Sequence, residues 1–170
     1  MILANRCDLD IARQIAAPGA TWLDHRLVEP VPTNLAHSGF GALVRDALRA
    51  RAEHLIEKGL AHRDGNRVRF RKDLLDTLRN RELVAVGAKI AHARGMTFHP
   101  ATPGGAVSGT FRETLRLSSG RFAMIDDGLG FQLVPWSASL EKCRDRQVSG
   151  LYRGDGGVDW RPERTRGISR

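Results

Sequence analysis

The chain changes hydrophobic period about halfway along. Between residues 41 and 94 the apolar positions recur every three or four residues; beyond 105 they alternate. Leu43-Val44, Ala47-Leu48, Ala52 and Leu55-Ile56 predict an amphipathic helix over 41–58, with Gly59 as its C-terminal stop. Arg45, Arg49 and Arg51 fall with Asp46, Glu53 and Glu57 on its expected polar side. A second helix, 71–94, follows from Leu74-Leu75, Leu78, Leu83-Val84, Val86 and Ile90, and Gly95 ends it. Between the two lies Leu60-Ala-His-Arg-Asp-Gly-Asn-Arg-Val-Arg-Phe70, which reads as a hairpin turning at Asp64-Gly65. Val68 and Phe70 are expected on one face of its second strand and Arg67 and Arg69 on the other. Upstream, a short helix over 8–17, capped by Asp8 or Asp10, ends at Pro18-Gly19, and 28–39 is a Pro-containing loop.

After Pro103-Gly104-Gly105 the alternation predicts strands at 106–117, 121–126, 129–134, 147–153 and 157–160. Residues 97–102 are a strand or a linker. Asp127-Gly128 is a two-residue turn signal, and Pro135 ends the strand after it because it cannot donate to a ladder. Ser137 to Lys142 is a short capped helical turn. The expected class is α+β: a helical, winged-helix-like N-terminal half (1–95), then a small SH3-like antiparallel β-barrel (106–170).

Charge adds a direction. The net charge is +8 with a pI near 10.6. Residues 41–72 hold nine basic and four acidic side chains, and 144–170 hold seven and four, so the excess sits in two blocks. Arginine dominates both, and its planar fork donates two parallel bonds to phosphate. The candidate nucleic-acid contacts are Arg45, Arg49, Arg63, Arg67, Arg69, Arg71 and Lys72 in the first block, and Arg144, Arg146 and Arg153 in the second. Trp136, Tyr152, Trp160 and Arg161 are the candidate partner-binding residues, since aromatics beside arginine stack bases or anchor interfaces. The competing role for the aromatics is to plug the ends of the barrel.

No apolar run is long enough to span a membrane, and Met1-Ile-Leu-Ala-Asn-Arg-Cys-Asp8 lacks a signal peptide's core, so a cytoplasmic location is expected. Cys7 and Cys143 are far apart and read as reduced thiols. Six histidines are scattered singly, with no His-x-His pair, where a metal site needs converging ligands. Asp126 and Asp127 are strand neighbours that point to opposite faces. Gly154-Asp-Gly-Gly157 lacks the Gly-Lys-Ser/Thr ending of a phosphate loop. Ser119 and Ser149 have no evident base partner. No cofactor, no metal and no enzymatic activity are expected.

Ser119-Gly-Arg-Phe-Ala-Met-Ile-Asp-Asp-Gly-Leu-Gly-Phe-Gln-Leu-Val-Pro-Trp136, with Ser139-Leu-Glu-Lys142, Val148-Ser-Gly150, Val158-Asp-Trp160 and Arg166-Gly167, resembles the C-terminal region of conjugative relaxases. These are the mobilisation nucleases that nick plasmid DNA at the transfer origin. Gly19-Ala-Thr-Trp-Leu-Asp24, Gly39-Phe-Gly41, Glu53 to Leu60 and Asp73 to Leu83 extend the likeness over most of the chain. It departs at Cys143-Arg144-Asp145, where the family pattern has a His-Leu-Gly-like triplet, and at Ile168-Ser-Arg170. The family's nicking tyrosine and histidine triad have no counterpart here, since Tyr152 is the lone tyrosine. The resemblance implies a mobile-DNA context without catalysis: a nucleic-acid-binding module, with DNA as partner, or a piece docking onto a nucleic-acid-processing machine. The alternative is a small protein-binding inhibitor of a nucleic-acid-processing defence complex, such as a CRISPR effector. No membrane partner is expected.

Overall fold

The computed structural model describes residues 9–29, 39–153 and 157–161. The chain is mixed α+β and packs as two units. One is Met1–Glu82 together with Leu117–Gly120; the other is Leu83–Arg116 together with Arg121–Arg170. Cys7, the tail departure at 168–170 and most of Gly154 to Gly157 lie outside the described residues.

The first unit begins with two short helices, α1 (Ile11–Gln14) and α2 (Trp22–Leu27), before the long α3 (Phe40–Glu57). Gly59 ends α3 at φ +72°, a conformation glycine adopts without a Cβ penalty. The Leu60 N–H reaches back to the Leu55 carbonyl at 2.9 Å and the Gly59 N–H to that of Ile56 at 3.0 Å. That pair of bonds is a Schellman closure, and Leu55 and Leu60 pack together beneath it. The chain then runs into a hairpin of β1 (Ala61–Asp64) and β2 (Arg67–Phe70), paired antiparallel from Ala61↔Phe70 to Asp64↔Arg67. The two-residue loop is therefore Gly65-Asn66, one position later than the expected Asp64-Gly65, with Gly65 at φ +61°. Val68 and Phe70 pack against the core while Arg67 and Arg69 are exposed, the alternation read from the sequence. α4 (Leu74–Arg94) follows, its first turns adding Leu74 and Leu78 to the core of Ala20, Leu55, Leu60 and Ala61.

In the second unit α4 closes as α3 does. Gly95 lies at φ +63°, and the Met96 N–H bonds to the Ala91 carbonyl at 3.1 Å. The strands are β3 (Ala106–Leu117), β4 (Gly120–Asp126), β5 (Phe131–Pro135), β6 (Gln147–Tyr152) and β7 (Val158–Arg161), in the spatial order β5-β4-β3-β6-β7. The order leaves β5 and β7 at opposite edges, so the five-stranded antiparallel sheet is open. β4 is buried on both faces. Ala123 and Ile125 join Val107, Phe111, Val134, Leu140, Val148 and Tyr152 on one side; Met124 joins Phe131 and Leu133 on the other, against Leu83, Val86, Ile90 and Phe98.

The β4–β5 turn departs from the expectation. The β4–β5 connection is four residues, Asp127–Gly130, because Asp126 pairs with Phe131. Asp127 Oδ1 accepts the N–H groups of Leu129 and Gly130, each at 2.8 Å, and the Asp127 N–H donates to the Gly130 carbonyl at 3.1 Å, so side chain and backbone together close the loop. Residues 97–99 flank β5 as a single parallel bridge, Phe98↔Phe131, with N–H···O bonds of 2.9 Å on either side.

Candidate nucleic-acid interface

The arginines of this protein divide by environment, and one is misplaced by the sequence reading. Val44, Ala47, Arg51 and Leu55 share the buried stripe of α3 at spacings of three, four and four. Arg51 is thus not on the polar side of the helix but fully buried. Its Nε and Nη2 grip Asp24 Oδ1 and Oδ2 at 2.8 and 2.9 Å. The remaining N–H groups donate to the carbonyls of Ile15 (3.1 Å), Ala17 (2.8 Å) and Gly19 (2.9 Å). All five guanidinium donors are used, so Arg51 is a structural cross-link and unavailable to any ligand. Its sequence signal is an arginine at a stripe position.

A second network gives Ser119, for which the sequence offered no evident base partner, a carboxylate neighbour in Glu82. The Glu82 carboxylate accepts the N–H groups of Ser118 (2.8 Å) and Ser119 (2.9 Å) and both serine hydroxyls. The hydroxyl oxygens in turn accept the N–H groups of Gly19 and Ala20 at 3.1 and 2.9 Å. A Cβ at Gly19 would sit 1.9 Å from a Glu82 oxygen, so only glycine fits there. Ser118 and Ser119 thereby tie Glu82 to the backbone of Gly19 and Ala20.

The predicted contacts of the first block are all on the first unit. Arg63 is bonded to Glu53, Arg69 to Asp64 and Arg71 to Asp73, all between exposed side chains. The Asp73 hydrogen bond raises the Arg71 pKa, and the same bond holds the Asp73 carboxyl below its ordinary value. Arg49, Arg67 and Lys72 are exposed and form no ion pair among the described residues. Arg45 is half-buried on α3. From His62 to Arg67 every residue of the hairpin tip is exposed.

On the second unit the predicted aromatics part company. Tyr152 is 5% exposed and belongs to the core. Trp160 is half-buried against that core, and its ring carbon would lie 3.1 Å from a Cβ at Gly150, the residue it pairs with across β6–β7. Arg153 is tied to Asp159 at 2.6 Å. Arg146 and Arg161 are exposed. Trp136 and Arg144 come together in a cleft of about 370 Å³. Its wall also carries Arg116 and Arg121, which sequence reasoning missed, with Phe111, Glu113, Thr114 and Glu141. The β4–β5 ladder runs one step beyond Phe122↔Pro135: the Trp136 N–H donates to the Arg121 carbonyl at 3.0 Å. The Arg121 guanidinium consequently stacks 5.4 Å from the centre of the Trp136 ring. Arg116 and Arg121 flank the tight connection between β3 and β4, where neither falls in a basic run.

A shallower depression of about 500 Å³ is lined by Thr97, His99, Ser108, Asp127 and Leu129. Its one carboxylate is occupied by the loop, whose Leu129 and Gly130 N–H groups lower the Asp127 pKa. Among the described residues, no three His, Cys, Asp or Glu side chains converge as a metal centre would require, and no helix is long and apolar enough to cross a membrane.

Residues 2–169 match a family described as a protein of unknown function, DUF3363, and the chain belongs to that family. No curated protein and no solved structure matches it.

Proposed function

We propose that this protein is a non-catalytic nucleic-acid-binding module of a mobile genetic element, of the kind its likeness to relaxase C-terminal regions implies. The observation that carries the reading is the basic hairpin that leaves α3 with its tip in solvent and Arg63, Arg67 and Arg69 along it. In this reading α3 and β1–β2 form a winged-helix arrangement whose wing lies along phosphates, and the open sheet is a splayed SH3-like barrel. The ion pairs of Arg63 and Arg69 do not oppose it. Exposed pairs contribute only about 0–1 kcal/mol, so both guanidinium groups exchange a carboxylate for a phosphate at little cost. Among the described residues Arg67 has no such pair to give up.

The test is binding of the purified chain to a labelled DNA duplex across a salt series. Each phosphate contact adds about 0.9 to the slope of log affinity against log salt. The triple change Arg63→Ala, Arg67→Ala, Arg69→Ala should lower affinity and flatten the slope. Unchanged affinity at low salt would remove the hairpin from the interface. Recovery from cells of a stoichiometric protein partner that survives high salt and nuclease would replace this reading with that of a protein-docking inhibitor. Metal-dependent nicking of single-stranded DNA that is lost in Tyr152→Phe would overturn the non-catalytic assignment.

A further inference from the structure

The cleft of the second unit points to something narrower than a basic surface. We propose that it takes one nucleotide of a single strand, with the base against Trp136 and Arg121 and the phosphate on Arg144. The proposal rests on the nucleic-acid reading above but uses none of the hairpin residues that carry it.

Trp136 packs partly against the core beneath β4 and β5, and its backbone is pinned to Arg121. The ring is therefore held in place before any ligand arrives, which spares a stacking partner the entropy of ordering it. Arg121 extends the platform as a cation stacked on the ring. Arg121 and Arg144 form no ion pair among the described residues, although two carboxylates line the same cleft. One of these, Glu113, is bonded at 2.5 Å to Arg94. The cleft therefore combines guanidinium donors open to an anion with an aromatic face, and the ligand matching both is a planar base carrying phosphate.

Size selects the form of nucleic acid. A cleft of about 370 Å³ lies at the small end of ligand sites, which run from about 300 to 1,000 Å³. A duplex keeps its bases stacked on one another and offers no face to Trp136. A single strand does, and every base has such a face, so recognition here is tolerant of sequence.

The experiment titrates the full chain with the tetranucleotides dT4 and rU4, with inorganic phosphate, and with a blunt duplex, reading tryptophan fluorescence. The tetranucleotides should quench the emission, and Trp136→Phe should abolish the quench with the far-UV spectrum unchanged. Arg144→Ala, at an exposed position, should weaken tetranucleotide binding about tenfold, the scale of one charge-assisted contact. Equal response to dT4 and rU4, or a preference for either, supports the site and identifies its strand. A quench that persists in Trp136→Phe, an affinity indifferent to Arg144→Ala, or a response to inorganic phosphate as strong as to dT4 would overturn it. Duplex binding that survives with no tetranucleotide binding defeats this proposal and leaves the hairpin reading standing. Tetranucleotide binding with a hairpin triple variant that behaves like wild type does the reverse.

Discussion

Every buried polar or charged residue among those described belongs to the first unit: Gln14, Thr21, Asp24, Arg51, Glu82 and Ser118. The buried side chains of the second unit are apolar, from Val107 and Phe111 to Leu140 and Tyr152. The difference follows from how each unit satisfies its backbone. Strands bond to neighbouring strands, so a sheet needs no side chains to complete its inner ladders. Helices of four and six residues leave most of their terminal carbonyls and N–H groups without a helical partner. Arg51 supplies donors to the carbonyls of 15–19, and Asp24 accepts from both the N–H and the hydroxyl of Thr21, at 2.7 and 2.8 Å. Arginine thus serves this protein in two opposite ways. Arg51 is saturated, whereas Arg63 and Arg69 hold only exposed pairs and Arg67, Arg121 and Arg144 form no ion pair among the described residues.

Arg51→Ala should have the largest effect on the first unit. It strands the Asp24 carboxylate and three carbonyls, and the expected loss is about 3–5 kcal/mol, read from urea unfolding. A loss under 1 kcal/mol would mean that water replaces the guanidinium, and the first unit would not depend on its buried charges. In the second unit the matching change is apolar. Leu133→Ala should cost about 2–4 kcal/mol through the cavity it leaves beside Met124 and Phe131, while Leu133→Met should cost under about 1.5 kcal/mol. Equal losses for the two would show that this core is not tightly packed.

Glu82→Gln should cost about 1–3 kcal/mol, because an amide nitrogen replaces one of two oxygens that accept only from donors. A neutral result would imply that the serine hydroxyls reorient to accept from the amide. Asp145→Gly has the opposite sign. Asp145 is the one non-glycine residue at positive φ (+60°) among the described residues. Relief of that backbone strain should stabilise the protein by up to about 1 kcal/mol. Destabilisation would assign weight to its 3.9 Å approach to Arg112.

The smallest effect is a pH slope. Burial, and then the charge of Arg51, lower the His54 pKa below its ordinary 6.5. The folded state therefore binds fewer protons than the unfolded one across that window. The stability due to His54 is complete above pH 6.5 and declines as pH falls toward the folded value. His54→Gln should flatten the profile there; an identical slope in the variant would trace it to other groups.

Local patterns made much of the fold legible. α3, α4, the basic hairpin, the five strands and the glycine stops at 59 and 95 all follow from period and from residues that tolerate positive φ, which neighbours within a few positions decide. The same information could not show that Arg51 faces inward, because its partners lie 27 to 36 residues away and a stripe position looks identical whether or not they arrive. It could not join Glu82 to Ser118 across 36 residues, nor tell a closed barrel from an open sheet, which turns on whether β5 and β7 meet. The cleft is the clearest case. Trp136 and Arg144 stood out by composition, but Arg116 and Arg121 belong with them only because antiparallel pairing and the packing of three strand ends bring them to one wall. Periodicity depends on the chain's own neighbours and is written locally; burial of charge and convergence of a site depend on long-range partners, and only the folded chain supplies them.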